Sequence, residues 1–419
     1  MSGVSIDDFG ASFVHYLPGT RETIRRSTRA IAMFKGKIKW EGKNLSWHVH
    51  VAPNTSIGVT EDGGQLEPAG KQTYAEAKAS RRFTYATVQV TDGILNNAST
   101  TKNAAVTVVK SELNGVVDFI RKFKNFFVTR DGTGVVGTVK QIVSAGAATL
   151  RISDARAIWD GKNYEIRSAA GSLLTDFQAL RTARAFSSSL GASVTVDNNW
   201  TAAEAAASTV GDLVVWGNGN FSAYELTAGK PRMFTGLDAL IDDGTSGTFQ
   251  NINLATYPRY TSPVLSASGA ITPNLFRRQL ALIQQECGDQ PPSGMNVLTN
   301  VWQSINVEEM YEGELRITPD TKVAGFAIAS FMSTLGRINI VNDPDAPYGK
   351  MFFVDPAEIT PAVQRELDFR RNENGGIFTI DPGALVHRAS MLEMGEYFID
   401  QRNKCGKIEG LTESVDTAY

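Results

Sequence analysis

WHVHVAPNTSIGVTEDGGQLEPAGKQTYAEAKASRRFTYATVQVT, residues 47–91, alternates at both ends and loses its pattern in the middle. From Trp47 the side chains alternate between faces, with Trp47 and Val49 on one side and His48 and His50 on the other. A dense turn region follows, Glu61, Asp62, Gly63, Gly64, Gln65 and Leu66, then Pro68, Ala69 and Gly70, with Lys71 just beyond. A second extended run covers 74–91. Two such runs around a turn-rich connection predict a hairpin. Near its tip neither face supplies a core, because Glu76, Lys78, Arg81 and Arg82 interrupt it. A lone two-stranded hairpin is marginal in water, since it buries too little apolar area to offset backbone ordering. Something outside the hairpin has to support it.

Beyond Asn96, Asn97, Ala98 and Ser99 the period changes from two to that of a helix. Val106, Val109, Leu113, Val116, Ile120, Phe123 and Phe127 follow at spacings of three and four, one apolar stripe on a helix of about 36 Å at 1.5 Å per residue. Thr100 or Thr101 is the expected cap. Ahead of the hairpin, residues 1–46 read as an arm, broken at Pro18-Gly19. Its basic stretch contains Arg21, Arg25, Arg26, Arg29, Lys35, Lys37, Lys39 and Lys43 against Glu22 and Glu41. Residues 133–232 carry short β-like runs at 135–143, 149–153, 164–167, 192–196 and 212–216, as in a small sheet or barrel. The Ala-rich stretches 173–185 and 201–207 read as short helices. From Met233 the pattern is mixed, with a helix from Thr272 to Cys287 that opens on Pro273 and another through Trp302. Strands follow near Ala327, at 338–341 and at 351–354, and the last alternating run is 385–399.

Composition narrows the class of function. At 419 residues the chain exceeds the roughly 250–300 at which one core stops growing, so several units are expected. Hydrophobic residues make up 42% and charged ones 20%, enough to build cores. A net charge of −3 excludes the large positive excess of a dedicated sequence-reading nucleic-acid binder. Cys287 and Cys405 form neither a C-x-x-C pair nor a Cys/His cluster, so neither a disulfide framework nor a zinc site is expected and a reducing cytoplasm suits them. The first ten residues lack the basic and apolar regions of an export signal, and no run is long and apolar enough to cross a bilayer.

The chemistry-bearing motifs have structural readings. Gly132-Thr133-Gly134-Val135-Val136-Gly137 fits G-x-G-x-x-G, but it is predicted to follow a helix and open a strand, the reverse of a dinucleotide-binding loop. His48 and His50 share a strand face and lack a third ligand, so they are expected to pack or hydrogen-bond. Asp242-Asp243 and Asp343/Asp345 sit among turn residues and are expected to start turns. No catalytic residues, cofactor or metal are expected.

The order of arm, hairpin, long helix and mixed remainder resembles the tailed-phage major capsid fold, which bacterial encapsulins and herpesvirus shells share. The segments 57–66 and 68–74 are similar to its extended loop, 85–92 to the strand leading out of it, and Asp131-Gly132-Thr133-Gly134 to the turn after its spine helix. Residues 244–258 are similar to the linker into the axial domain, and 337–349 with 351–356 to a late strand-turn-strand there. The resemblance implies an α+β capsid fold. It divides the chain into an arm (1–46), an E-loop hairpin (47–98), a spine helix of the peripheral domain (99–132), an inserted β-rich module (133–232), an axial domain (233–360) and a return to the peripheral domain (361–419).

The implied function is self-assembly into an icosahedral head of hexamers and pentamers, built in the host cytoplasm and enclosing double-stranded DNA by non-specific contact. Portal, scaffolding and decoration proteins are implied partners, although the chain begins almost at the arm, without the scaffolding domain of many relatives. Glu61, Asp62, Gly63, Gly64, Gln65, Leu66, Pro68, Gly70 and Lys71 would meet a neighbouring subunit. Arg21, Arg25, Arg26 and Arg29 would face DNA phosphates or a neighbour, and the two readings stay open. Some capsids of this fold join a loop lysine to a neighbour's asparagine. Lys71 or Lys78 with Asn372 or Asn374 and Glu366 or Glu373 would be the counterparts, but a nucleophilic lysine needs a desolvated site, and none is visible. An encapsulin-like compartment, or a β-rich soluble binding protein or enzyme, is the alternative.

Overall fold

The computed structural model describes residues 28–34, 36–93, 104–142, 148–182, 192–197, 208–224, 232–288, 295–311, 330–333, 336–371, 376–380 and 385–413. The expected cap at Thr100 or Thr101, the Ala-rich 201–207, the strand near Ala327, and Arg21, Arg25 and Arg26 lie outside them.

The hairpin pairs Asn44–Ala52 with Thr73–Ser80, from Asn44 opposite Ser80 to His50 opposite Tyr74, with a slip before Ala52 meets Thr73. The return run is not one strand. It breaks at Arg81, and Arg82–Thr91 leaves the hairpin to pair with Val386–Ile399, Arg82 opposite Gly395 and Thr91 opposite Val386. Alternation shows which residues share a face and leaves the partner strand undetermined. Here Val88 and Val90 decide it: beside Val386–Ile399 they are buried against Leu113, Val116 and Phe378.

Val386–Ile399 is the hub of this first sheet, pairing also with Ile359–Phe369 and Phe378–Ile380; Ile38–Lys39 lies parallel to Ile359–Phe369 at the edge. The long helix, Ala104–Val128, covers one face. Its stripe has two partners. Leu113 and Val116 face the sheet, whereas Phe123 and Phe127 face Trp216. The side chains of Val106 and Val109 lie outside the described residues.

Six antiparallel strands between 135 and 216 close into a barrel. In order around it are Leu213–Trp216, Val135–Ile142, Thr149–Ile152, Ala192–Val196, Leu173–Thr182 and Asn163–Arg167. Leu173–Thr182 corrects the helix expected at 173–185. Alanine and leucine there suit a helix in isolation, but Phe177 and Ala179 point into the barrel beside Tyr164 and Val196, and that burial overrides local propensity.

The second sheet has six mixed strands: Val264–Ser266, Gly406–Glu409, Met351–Val354, Met295–Thr299, Gly336–Asn342 and Ser330–Ser333. Helices Pro273–Cys287 and Val301–Tyr311 accompany it, and Phe276, Leu280, Ile283 and Val307 pack on Met295, Val297, Phe353 and Ile408. Thr272 caps the first of these helices, its hydroxyl accepting from Leu275 N at 3.2 Å. Gly406–Glu409 lies inside this sheet, so the last part of the chain crosses back rather than remaining with the first sheet as a single return at 361–419 would have it.

Candidate assembly surface

Residues 53–72 join the hairpin strands without regular structure. Prolines 53 and 68 and four glycines discourage strand pairing, and local polar bonds shape the loop instead. Asn54 Oδ1 accepts from Ser56 N at 3.0 Å, Asn54 Nδ2 crosses to Gly70 O at 3.2 Å, and Gly64 N reaches Glu61 O at 2.9 Å around Gly63 at φ 79°. Ile57 (84% exposed), Val59 (103%) and Leu66 (84%) stand in solvent. The same loop carries three carboxylates, Glu61, Asp62 and Glu67, and one lysine, Lys71. Burying each apolar side chain against a partner is worth about 1.5–3 kcal/mol.

The base of the hairpin is supported from within the chain, which sharpens the expectation of a coreless element. Trp47, Val49, Ala75 and Ala77 pack against Ile252, Leu254, Tyr257 and Tyr260. Trp40 and Ala79 join Ala362 and Phe398. A tight turn with positive φ at Gln250 and Asn251 grips the outer edge of the hairpin: Lys78 N donates to Gln250 O at 2.8 Å and Asn251 Nδ2 to Glu76 O at 3.0 Å. Residues 244–258 are expected to be a linker, but this part of them is a clamp on the hairpin; Asn251, whose type tolerates positive φ, is its one local signal.

Where the chain turns from the hairpin into the first sheet, Arg82 Nε lies 3.2 Å from both Glu396 Oε2 and Met233 O. Glu396 Oε1 accepts from Thr235 N at 2.7 Å and Tyr397 N at 2.9 Å. Burial pushes the Glu396 carboxyl up to about 7, against the opposing pull of Arg82 and the two amides. The folded chain therefore holds this proton more tightly than the unfolded chain, whose glutamate titrates near 4.5. The sign follows: the contribution of Glu396 to stability is greatest below about 4.5, falls as pH rises, and levels off above about 7, a loss on the order of 3 kcal/mol. Glu396→Gln should remove that slope, so urea denaturation should show the variant gaining on the native chain by on the order of 2–3 kcal/mol between pH 5 and pH 8. An equal difference at both pH values would refute it.

Among the described residues, one face of the first sheet is left uncovered. Phe83 and Tyr85 are exposed on the side away from the long helix, opposite the half-buried Met394 and Leu392. Arg81 lies over the Phe83 ring at 5.4 Å.

The other candidates separate. Arg29 donates to Asn342 of the same chain, at 2.9 Å to its carbonyl oxygen. His48 and His50 are exposed, with the His50 ring 5.2 Å from Tyr74, and among the described residues no group of three potential ligands gathers. Lys71 is exposed, Lys78 pairs with Glu76 at 3.0 Å, and the exposed Glu366 lies 3.9 Å from Lys37. Asn372, Glu373 and Asn374 lie outside the described residues, so the structure assembles no lysine–asparagine–glutamate set among those described. Gly132 and Gly134, at φ 87° and 79°, form a turn between the long helix and a barrel strand.

Asp343 does start a turn, its Oδ1 accepting from Asp345 N at 2.9 Å. Its Oδ2 also accepts from Ala30 N and Asn125 Nδ2, each at 2.9 Å, fastening the arm to the long helix. Nothing local in the sequence announced that second role.

Residues 214–375 match the family model described as SU10 major capsid protein. The chain is similar in structure to a chain of the Cyanophage A-1(L) capsid, with a TM-score of 0.55 at 14% identity, covering 95% of this chain and 96% of that one. Similarity to the capsid of a native GTA particle gives a TM-score of 0.51 at 11% identity, over 98% and 100% of the two chains. The holo-SrpI encapsulin of Synechococcus elongatus PCC 7942 gives 0.46 at 8% identity over 100% and 99%, too loose a likeness to weigh. No curated protein matches the sequence.

Proposed function

We infer that the chain is a major capsid protein of the tailed-phage type, since it has the fold of phage capsid shells and its residues 214–375 match the SU10 major capsid protein family. It is a structural subunit, and copies of it assemble into capsomers. The observation that carries the mechanism is the hairpin tip, where Ile57, Val59 and Leu66 are presented on a loop with no core of its own. In this reading the hairpin is an E-loop that reaches a neighbouring copy, and its apolar tip covers surface such as the Phe83–Tyr85 patch. The long helix is the spine that stiffens each subunit, and the second sheet contributes the axial contacts that close a capsomer. The enclosed cargo is double-stranded DNA, contacted without sequence preference, and no catalytic step belongs to the function.

The test is direct. The chain expressed alone or with its phage's other head proteins should give closed shells by negative-stain microscopy and elute in the void volume of a sizing column. A population made only of monomers or small oligomers under both conditions would sink the proposal. Nucleic acid inside phage-derived particles supports the head assignment, and enzyme cargo would transfer it to the encapsulin class.

A further inference from the structure

We propose that the barrel is a brace, holding the long helix and the second sheet at a fixed angle and thereby setting how the shell wall bends. The second half of this statement rests on the capsid reading; the first does not.

On connectivity alone the barrel would be a pendant module. The chain enters and leaves it at one point, where Asp238 N donates to Arg130 O at 3.2 Å and a Cβ on Gly132 would lie 2.9 Å from Phe234 O. Attachment at one point permits swinging. Two further footings prevent it.

The first footing is aromatic. Trp216, from the last barrel strand, lies 4.9 Å from Phe123 and 5.9 Å from Phe127 of the long helix, ring to ring. Trp159 meets Phe119 edge-on at 5.3 Å, and Lys122 Nζ sits 3.7 Å from the Trp159 ring centre. Interlocked rings of this kind fix a relative orientation, because sliding forfeits edge-to-face geometry and dispersion contact together.

The second footing is ionic and reaches the other body. Arg156 Nη1 donates to Pro344 O at 2.6 Å and Ala346 O at 2.8 Å, in the turn between two strands of the second sheet, and its guanidinium lies 3.9 Å over the Tyr348 ring. Asp154 orients it, accepting from Arg156 Nε at 2.9 Å and Nη2 at 2.6 Å while also receiving Arg130 from the end of the long helix. Burial opposes the charged form of Asp154, but the two guanidiniums override it and hold the carboxyl well below the usual carboxylate range. Asp154 thus joins barrel to helix, and the Arg156 guanidinium it holds joins both to the second sheet, in a fork geometry that only arginine supplies.

Arg156→Ala tests the brace, with Arg156→Lys as a milder variant that keeps the charge and loses the fork. Amide exchange over residues 119–128 of the unassembled subunit should quicken about tenfold in the alanine variant and by less in the lysine variant. Shells from either variant should show a broader spread of diameters than wild type by electron microscopy. Unchanged exchange and unchanged diameters overturn the brace, as does faster exchange confined to the barrel. If the alanine variant fails to fold, the lysine variant decides by the same two measurements. Failure of the wild-type chain to form shells would count against the capsid reading, while exchange over 119–128 would still judge the brace.

Discussion

Deleting residues 61–70 leaves a folded subunit that forms no shells. The deleted residues are almost all exposed and belong to none of the buried apolar clusters. The strands Asn44–Ala52 and Thr73–Ser80 stay paired, and their base stays packed on Ile252, Leu254 and Tyr260. Halving the connection even lowers the cost of closing it, by about 0.6 kcal/mol. Thermal melting and circular dichroism should therefore match wild type, with elution as a monomer slightly smaller than the 45.4 kDa full-length chain. Assembly loses both the reach of the loop and Leu66. A full-length chain with Ile57, Val59 and Leu66 all changed to serine should assemble poorly for the energetic part of the same reason, since each contact forfeits about 1.5–3 kcal/mol. Shells of normal size and yield from the deletion would remove the hairpin from the assembly mechanism.

Arg402→Ala should cost roughly 3–5 kcal/mol, since a buried group stripped of its partner carries its full desolvation penalty. Arg402 is 1% exposed and sits in the short turn between the last strand of the first sheet and the last strand of the second. Its guanidinium donates to Leu240 O at 2.9 Å, Tyr260 O at 3.1 Å and Ala239 O at 3.3 Å, and lies 4.2 Å over the Phe249 ring. Alanine leaves three carbonyl oxygens facing a cavity at the junction of the two sheets. Arg402→Lys restores a charge but not a planar fork, so it should recover only part of the loss. Urea denaturation measures both variants, and an alanine variant within about 1 kcal/mol of wild type would contradict the account.

The sequence disclosed what depends on neighbours along the chain and concealed what depends on neighbours in space. The spacing from Val106 to Phe127 is local, and the observed helix runs from Ala104 to Val128. The barrel strands were legible where Val, Ile and Tyr alternate, and misread at Leu173–Thr182, where Ala179 favours a strand only because Val196 lies beside it. The hairpin tip was visible as turn residues without a core. The break at Arg81 was not, since the partner of Arg82–Thr91 is some 300 residues away in the chain. Separation along the chain also hid the junction at Asp154 and Arg156, whose meaning comes from Arg130 and from carbonyls at 344 and 346, the latter 188 and 190 residues from Arg156. Read singly, these are ordinary turn and surface residues.

The way the barrel is threaded also bears on its history. A module that enters and leaves at touching points can be acquired without rerouting the rest of the chain, so its gain demands little of the host fold. Its loss is another matter. Once Phe119, Phe123 and Phe127 face Trp159 and Trp216, excision would leave an aromatic strip of the long helix in water. Gain of such a module is topologically easy and its excision energetically hard, an asymmetry that works as a ratchet whether or not the outer surface of the barrel has any task.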